Sequence, residues 1–267
     1  MNFNVRLGIS SYAFAWSIGV PGYSPDKPMN AFDLLKSASK LGIQLVQIAD
    51  NLPLHKLENA ELDRLIGLAS DLNIDIEIGT RGITNDNILK YLKIAKLFKS
   101  SILRVVIDTP ENHPTEDEIV SIIKSLVPKL QDAGIILAIE NHDRFSSKML
   151  SRIIHRIDSR NVGICLDSTN SFATLERPYE VAKELGELVV NIHLGFIIEG
   201  TPAGEGMLNI PCFLKEILKY QRNPNVIVEL WTPPENNINA TIEKEKQWVE
   251  LSVKNLLNIL SSHDFTK

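Results

Sequence analysis

The chain has 267 residues, of which 44% are hydrophobic and 23% charged, and its formal net charge is -5. These values are ordinary for a globular protein, and an acidic chain without a long basic run argues against a nucleic-acid or anionic-membrane partner. The two cysteines, Cys165 and Cys212, supply neither a disulfide framework nor a cysteine-rich zinc site, which favours a cytoplasmic location. The first residues lack a signal-peptide pattern, and no apolar stretch approaches the length of a transmembrane helix.

Short apolar runs alternate with longer amphipathic segments along the chain. Their patterns predict eight strands, at residues 6–12, 43–50, 74–80, 101–108, 135–141, 162–168, 188–195 and 225–231. Helical spacing predicts eight helices between and after them, at residues 31–42, 60–73, 85–100, 119–134, 147–157, 178–186, 210–221 and 241–260. Gly42 is placed to end the first helix, and Thr115 with Glu118 forms a capping box before the fourth.

Strict alternation of strands and helices implies parallel strands joined by right-handed crossovers. Eight such units in about 250 residues are typical of an α/β protein with a (β/α)₈ TIM barrel. A doubly wound open sheet is the alternative, but it usually has fewer strands, and no glycine-rich fingerprint follows the first strand. No low-complexity linker divides the chain, so residues 1–267 are expected to form a single TIM-barrel domain.

Each of the last four predicted strands carries a Glu, Asp or His near its carboxyl end, where such barrels build their active sites. These residues are Glu140, Asp167, His193 and Glu229. Because side chains alternate between the barrel interior and the helices, all four can face the barrel axis. In the seventh strand, His193 is expected to share the interior face with Asn191, while Val190 faces the helices.

Three carboxylates that converge in a small volume repel each other unless a cation neutralises them. Three carboxylates and one imidazole nitrogen suit one divalent metal ion, with Mn²⁺ or Mg²⁺ favoured and Co²⁺ or Zn²⁺ also compatible. Any single acid at a strand end is as readily a helix cap or a loop residue. Four such residues in register on adjacent strands are much harder to explain by chance, and the sequence therefore predicts a metal site.

The order Glu, Asp, His, Glu on strands five to eight resembles the xylose isomerase-like TIM barrels, the superfamily of sugar phosphate isomerases and epimerases that also contains AP endonucleases. The resemblance covers nearly the whole chain and is supported by "IENHD", "LDSTNS", "NIH", "GEGMLNIP" and "VELW". It implies that the four strand-end residues bind one divalent metal ion. It also implies that Glu140 and Glu229 are catalytic, serving as acid and base on opposite faces of the substrate.

Several stretches resemble one subgroup, the 3-oxo-isoapionate decarboxylases, which act in the breakdown of the branched sugar apiose. These stretches are "GISSYAFAW", "QIADNLPLHKL", "GTRGI", "IENHDRF", "GFIIEGTPAGEG" and "ELWTPPE". Many members of the superfamily carry His-x-Lys-Asp at the seventh strand, whereas Leu194, Gly195 and Phe196 follow His193 here. Asn170 stands where some epimerases have a histidine. Substrate contacts on this side are therefore expected to differ from those of the relatives.

Six residues are predicted to contact the substrate at the barrel mouth: Arg81, His142, Arg144, Asn170, Glu205 and Trp231. A guanidinium of Arg81 or Arg144 could clamp a carboxylate or phosphate, with an internal salt bridge as the alternative for each. His142 either points at the site or orients a neighbour through a hydrogen bond. Glu205 lies between two glycines that permit close backbone approach, with an exposed loop acid as the alternative. Trp231 offers an aromatic wall, with ordinary packing of the barrel mouth as the alternative.

A metal ion in this setting polarises a substrate carbonyl and an adjacent hydroxyl and so favours an enediolate. The sequence favours a sugar isomerase or epimerase, in which a glutamate removes a proton and a carboxylate returns it. The alternative is a decarboxylase of a 3-oxo sugar acid, in which CO₂ leaves instead of a proton. AP endonuclease-like DNA repair and a non-catalytic sugar-binding barrel are remote alternatives. The expected partner is a small sugar or sugar acid, and the resemblance implies a homodimer or homotetramer.

Overall fold

The computed structural model describes residues 5–142, 144–195, 201–220, 223–263 and 265. Eight parallel strands close into a barrel in chain order, which confirms the predicted (β/α)₈ fold. They are β1 (Leu7–Ser10), β2 (Leu45–Ile48), β3 (Asp75–Arg81), β4 (Ile102–Val106), β5 (Ile136–Glu140), β6 (Val162–Asp167), β7 (Val189–Leu194) and β8 (Asn225–Val228). Among the described residues, no helix combines the length and apolar character needed to cross a membrane.

Helices cover the outside of the barrel. The longer ones are Ala31–Lys40, Asn59–Asp71, Asn85–Leu97, Glu116–Ala133, Ser147–Ile157, Pro178–Leu185, Ile210–Leu218 and Ile238–Ser262. The shorter ones are Ser11–Phe14, Ala15–Ile18, Leu54–Lys56, Asn170–Thr174 and Gly186–Leu188. The apolar faces of strands and helices pack into one extensive core, which removes their surface from water and stabilises the barrel.

Local signals in the sequence set the ends of these helices. The Thr115 hydroxyl accepts from the Glu118 amide, and the Glu118 carboxylate accepts from the Thr115 amide at 2.7 Å, so the predicted capping box is confirmed. The first long helix ends at Lys40, and Gly42 follows with φ +71°, in the left-handed region that glycine adopts without steric cost.

A second, smaller apolar cluster fills the barrel interior below the strand ends. It consists of Ile102, Ala138 and Cys165, with Ile136 and Val190 packed against it. The expectation that Val190 faces the helices was therefore wrong. The register between β6 and β7 shifts between Ile164 and Cys165, and this irregularity turns Val190 inward beside Asn191.

Gly163 makes room for that inward turn. A β-carbon at Gly163 would lie 2.7 Å from Cγ1 of Val190 and 2.9 Å from the Leu188 carbonyl oxygen. After the shift, Asp167 pairs directly with His193 across the sheet. The irregularity thus aligns two of the predicted metal-binding residues.

Candidate active site

The four strand-end residues converge at the carboxyl end of the barrel. Glu140 ends β5, Asp167 ends β6, His193 lies in β7, and Glu229 directly follows β8. Nδ1 of His193 lies 3.0 Å from Oε2 of Glu229 and 3.4 Å from Oε2 of Glu140. Ligand atoms of Asp167, His193 and Glu229 all lie within 4.8 Å of one another. The structure thus brings together the side chains that the sequence selects.

A buried arginine shares this site. Arg104 lies in the middle of β4 with a side chain only 2% exposed, and its Nε donates to Oε2 of Glu140. The guanidinium also lies 3.3 Å from Oδ1 of Asp50 and 3.9 Å from Oε1 of Glu229. Burial opposes its charge, but these carboxylates raise the pKa of Arg104 well above its usual value, so it remains a cation.

A layer of amides lies beneath His193. Gln47 donates its amide N–H to Oε2 of Glu77 at 3.0 Å and to Oδ1 of Asn191 at 3.3 Å. Because the Glu77 carboxylate only accepts, the Gln47 carbonyl must face the other way, toward Nε2 of His193 at 2.9 Å. That nitrogen therefore carries the proton, and the lone pair of neutral His193 lies on Nδ1.

Nδ1 of His193 and Oε2 of Glu229 are both buried, and neither has a hydrogen-bond partner among the described residues. Two lone pairs cannot face each other at 3.0 Å without a proton or a metal ion between them. Burial opposes protonation, but Cys165 and Glu229 raise the pKa of His193 well above its usual value. Burial likewise opposes ionisation of Glu229, but His193 and Arg104 lower its pKa and keep it ionised.

Asp167 is held by its own loop. Its Oδ1 accepts from the Thr169 amide at 2.7 Å, the Thr169 hydroxyl at 2.8 Å and the Asn170 amide at 3.0 Å. Burial, followed by the charge of Glu140, raises the pKa of Asp167 to about 6. Asn170 also donates its side-chain N–H to Oε1 of Glu140 at 3.0 Å, so this predicted substrate contact links two of the predicted ligands.

The two predicted arginine clamps differ in how they are held. Arg144 makes two hydrogen bonds to Asp108, at 2.7 and 2.9 Å, and a third to the Pro114 carbonyl at 2.7 Å. Arg81 has only longer contacts, 3.5 Å to Oδ2 of Asp50 and 3.4 Å to the Asp108 carbonyl. Arg144 therefore has the internal salt bridge that was its alternative, and Arg81 keeps more of its donors available.

The other predicted substrate-contacting residues differ in how exposed they are. His142 is half-buried two residues after Glu140, and Glu205 is exposed in the segment before the helix Ile210–Leu218. Trp231 is 36% exposed, and its ring centroid lies 5.2 Å from that of Trp16. Phe196, part of the departure after His193, falls outside the described residues.

The prediction from sequence missed four polar residues that surround the predicted ligands: the buried Arg104, Gln47 and Cys165, and the half-buried Asp50. Arg104 carried a signal, since it is the only charged residue in the strand "ILRVV" and needs a buried partner. Asp50 ends the predicted strand 43–50 and so carried the strand-end signal, whereas Gln47 carried none, because its partners are far away in the sequence. Asp50 accepts from the Tyr12 hydroxyl at 2.9 Å and lies beside both Arg81 and Arg104.

A buried carboxylate holds the aromatic wall in place. Glu245, on the closing helix Ile238–Ser262, accepts from the Trp16 amide at 2.7 Å, the Ser17 amide at 2.9 Å and the Ser17 hydroxyl at 2.6 Å. The Trp16 indole N–H donates to the Thr232 carbonyl at 2.8 Å. Glu245 thus fixes the segment after β1 against the closing helix, and the Trp16 indole joins that segment to the one after β8.

This carboxylate is expected to make stability depend on pH. Burial raises the pKa of Glu245 from 4.5 to about 7, so the folded state favours its neutral form. The contribution of Glu245 to the free energy of unfolding is complete below pH 4.5 and is lost as the pH rises through 7. A shift of about 2.5 pKa units corresponds to roughly 3 kcal/mol of stability. Urea unfolding of wild type and Glu245→Gln across this range should show a decline that is larger in wild type by about this amount, since Asp167 titrates in both proteins. Parallel curves would contradict the assignment.

Comparison with known proteins agrees with the fold and the residue pattern. A family model described as xylose isomerase-like TIM barrel matches residues 35–251. A 3-oxo-isoapionate decarboxylase from Pectobacterium atrosepticum is 31% identical over 266 residues, which cover 94% of this chain and 95% of that protein.

Two solved structures of similar fold contain a bound sugar or metal ion. A D-psicose 3-epimerase with D-tagatose from Clostridium cellulolyticum H10 has a TM-score of 0.77 and 14% identity, covering 96% of this chain and 99% of that one. The IolI protein with a bound zinc atom has a TM-score of 0.71 and 17% identity, covering 97% and 99%. At these identities, the likeness supports the fold alone.

Proposed function

The chain belongs to the xylose isomerase-like TIM-barrel family, and from that premise we propose that it is a divalent-metal-dependent decarboxylase of a 3-oxo sugar acid. Its similarity to 3-oxo-isoapionate decarboxylase over nearly the whole length supports this reaction class. The observation that carries the choice of reaction is the buried ion pair between Arg104 and Glu140.

The residues of the site fit a divalent cation. The carboxylates of Glu140, Asp167 and Glu229 together carry a charge of -3 when ionised, and Arg104 returns +1, which leaves -2. The lone pair on Nδ1 of His193 points toward two carboxylates, an arrangement that a cation stabilises. Mn²⁺ and Mg²⁺ match the predominantly oxygen ligands, and Co²⁺ and Zn²⁺ are also compatible.

Glu229 is the residue that we assign to proton transfer. A bound metal ion would polarise the oxo group of the substrate and stabilise the negative charge left by departing CO₂. The carbon that loses CO₂ must then gain a proton. The Glu229 side chain is 14% exposed, whereas those of Glu140 and His193 are 1% and 0% exposed. Glu229 rests ionised beside His193 and Arg104, and its exposure lets it take up a proton from the barrel mouth during turnover and deliver it to that carbon.

Glu140 is less suited to carrying a proton. Its carboxylate is buried in an ion pair with Arg104, and protonation would leave that guanidinium without its nearest counter-charge. An epimerase that uses acid and base on opposite faces requires two proton carriers, whereas decarboxylation requires one. A sugar isomerase or epimerase is the second candidate function, and the convergence of two glutamates on His193 favours it.

The deciding experiment measures CO₂ and deuterium together. The purified protein with Mn²⁺ or Mg²⁺ is incubated in D₂O with a panel of 3-oxo sugar acids and ketoses and followed by NMR. Release of CO₂ with deuterium in a shortened ketose supports the decarboxylase. Deuterium beside the carbonyl of a ketose that keeps all its carbons would replace this proposal with the epimerase.

Arg81 is expected to bind the substrate carboxylate, since its guanidinium has only long contacts and lies at the mouth. A hydrogen bond to a charged group contributes about 1.5–3 kcal/mol, so Arg81→Ala should raise KM roughly tenfold or more with a smaller change in kcat. Arg144→Ala is the matched control, because Arg144 is occupied by Asp108. Steady-state kinetics that show equal KM values for wild type and Arg81→Ala would remove this role.

Gln47 is expected to affect metal binding without touching the metal. Gln47→Leu removes the acceptor that keeps the proton of His193 on Nε2, and loss of such an orienting hydrogen bond typically costs 10–100-fold in affinity. Asn225→Ala is the control, because Asn225 donates to Glu77 at 2.7 Å but makes no hydrogen bond to His193. Mn²⁺ titrations followed by electron paramagnetic resonance should separate the two variants, and equal affinities would argue against the orienting role.

A further inference from the structure

A cysteine lies on β6 two residues before Asp167, level with Glu140 in the sheet. Cys165 is fully buried on β6, where it pairs across the sheet with Glu140 on one side and Asn191 on the other. Its thiol donates one weak hydrogen bond, to Oδ1 of Asn191 at 3.4 Å. Ligand atoms of Glu140, Cys165 and His193 all lie within 4.8 Å of one another. We call these three residues the inner set.

The inner set overlaps the outer set, which consists of Asp167, His193 and Glu229. Both sets depend on His193, whose Nε2 is engaged by Gln47 and whose buried Nδ1 has no hydrogen-bond partner among the described residues. One nitrogen lone pair binds one metal ion, so the two sets cannot be filled at the same time. Glu140 can serve in the inner set while Arg104 and Asn170 remain bound to it, because a carboxylate has about four lone-pair sites.

The two sets differ in chemistry. The outer set offers two carboxylates and an imidazole, which suit Mg²⁺ and Mn²⁺. The inner set offers a carboxylate, an imidazole and a thiol that a bound ion would deprotonate, and thiolate with imidazole is the combination that favours Zn²⁺. The barrel therefore presents two positions a short distance apart that prefer different metal ions.

We infer that Glu140, Cys165 and His193 form a second, inner metal position that selects Zn²⁺ and other thiophilic ions, and that filling it displaces the ion from Asp167 and Glu229. The part of this inference that concerns activity depends on the proposed function. Zn²⁺ at the inner position takes His193 from the outer set and leaves Glu229 without the ion beside it. Zn²⁺ should therefore inhibit the enzyme in competition with Mn²⁺ or Mg²⁺.

Cobalt binding tests the inner position directly. Co²⁺ bound to a thiolate gives a charge-transfer absorption band in the near ultraviolet, and Co²⁺ bound only to oxygen and nitrogen does not. The chain contains only Cys165 and Cys212, and Cys212 is exposed on the helix Ile210–Leu218. Metal-free Cys212→Ser protein titrated with Co²⁺ should therefore show the band, and the band can then come only from Cys165.

Two further variants locate the ion. Asp167→Asn weakens the outer set and should keep the band, whereas Cys165→Ser should lose it. Cys165→Ser should also bind Zn²⁺ at least about tenfold more weakly while its Mn²⁺ affinity stays within a factor of two or so. Unchanged Mn²⁺ affinity shows that the barrel is folded, and Cys165→Ala provides a second replacement if the serine variant fails to fold.

The outcomes separate this inference from the proposed function. Co²⁺ that binds Cys212→Ser protein without the band overturns the inner position and leaves the decarboxylase proposal standing. A band from a protein that releases no CO₂ from any 3-oxo sugar acid supports the inner position and argues against the decarboxylase. Failure of Co²⁺, Mn²⁺ and Zn²⁺ to bind at all overturns both.

Discussion

Glu229→Gln is expected to lower kcat by about 10²–10⁴-fold, the range typical of losing a positioned acid or base. Glu229 contacts Nδ1 of His193 at 3.0 Å and is the more exposed of the two converging glutamates. The amide of glutamine keeps the size of the side chain but cannot take up and deliver a proton. The loss should therefore fall on kcat at saturating substrate, and the thermal unfolding midpoint should show that the barrel remains folded.

Because Glu229 is also a predicted metal ligand, the two roles must be separated. Turnover is measured at increasing Mn²⁺ until the variant is saturated, and a loss that persists at saturation is assigned to proton transfer. Glu235→Gln is the matched control, because Glu235 lies exposed on the same segment and pairs with Lys244 at 2.6 Å. Full turnover by metal-saturated Glu229→Gln would remove the proton-carrying role. Glu140→Gln should also abolish turnover, through loss of a ligand and of the partner of Arg104.

Arg104→Met is expected to destabilise the metal-free protein by about 3–5 kcal/mol, the usual effect of removing one partner from a buried ion pair. Methionine fills similar space, but Glu140 then remains buried at 1% exposure without its cation, while Glu229 converges on the same His193 nitrogen. A divalent metal ion supplies the missing positive charge. Chemical denaturation with and without Mn²⁺ should show that the variant gains more from the metal than the wild type does.

Arg104→Lys distinguishes charge from geometry. Lysine keeps the positive charge but cannot contact Glu140, Asp50 and Glu229 from one planar group, so its stability should lie between those of wild type and Arg104→Met. An Arg104→Met protein as stable as wild type without metal would show that the ion pair contributes little. In that case, Glu140 would be as well suited as Glu229 to carry a proton.

Much of the fold was open to prediction because its signals are local. Strand β5, predicted at 135–141, spans Ile136–Glu140, and the helix predicted at 147–157 spans Ser147–Ile157. Apolar periodicity reflects which face of an element meets the core, and alternation of strands with helices permits few topologies. The convergence of Glu140, Asp167, His193 and Glu229 followed from the same reasoning, because parallel strands bring their carboxyl ends together.

The sequence by itself determined the barrel, the order of its elements and the strand ends from which the site is built, since each depends on side-chain patterns within a few residues. Only the tertiary structure decided the partners inside the barrel. Arg104 meets Glu140 across 36 residues, and Gln47 meets His193 across 146. The register shift that turns Val190 inward and sets Asp167 beside His193 could also not be predicted from a regular alternation of side chains. Such contacts depend on distant segments meeting in three dimensions, and no local pattern specifies them.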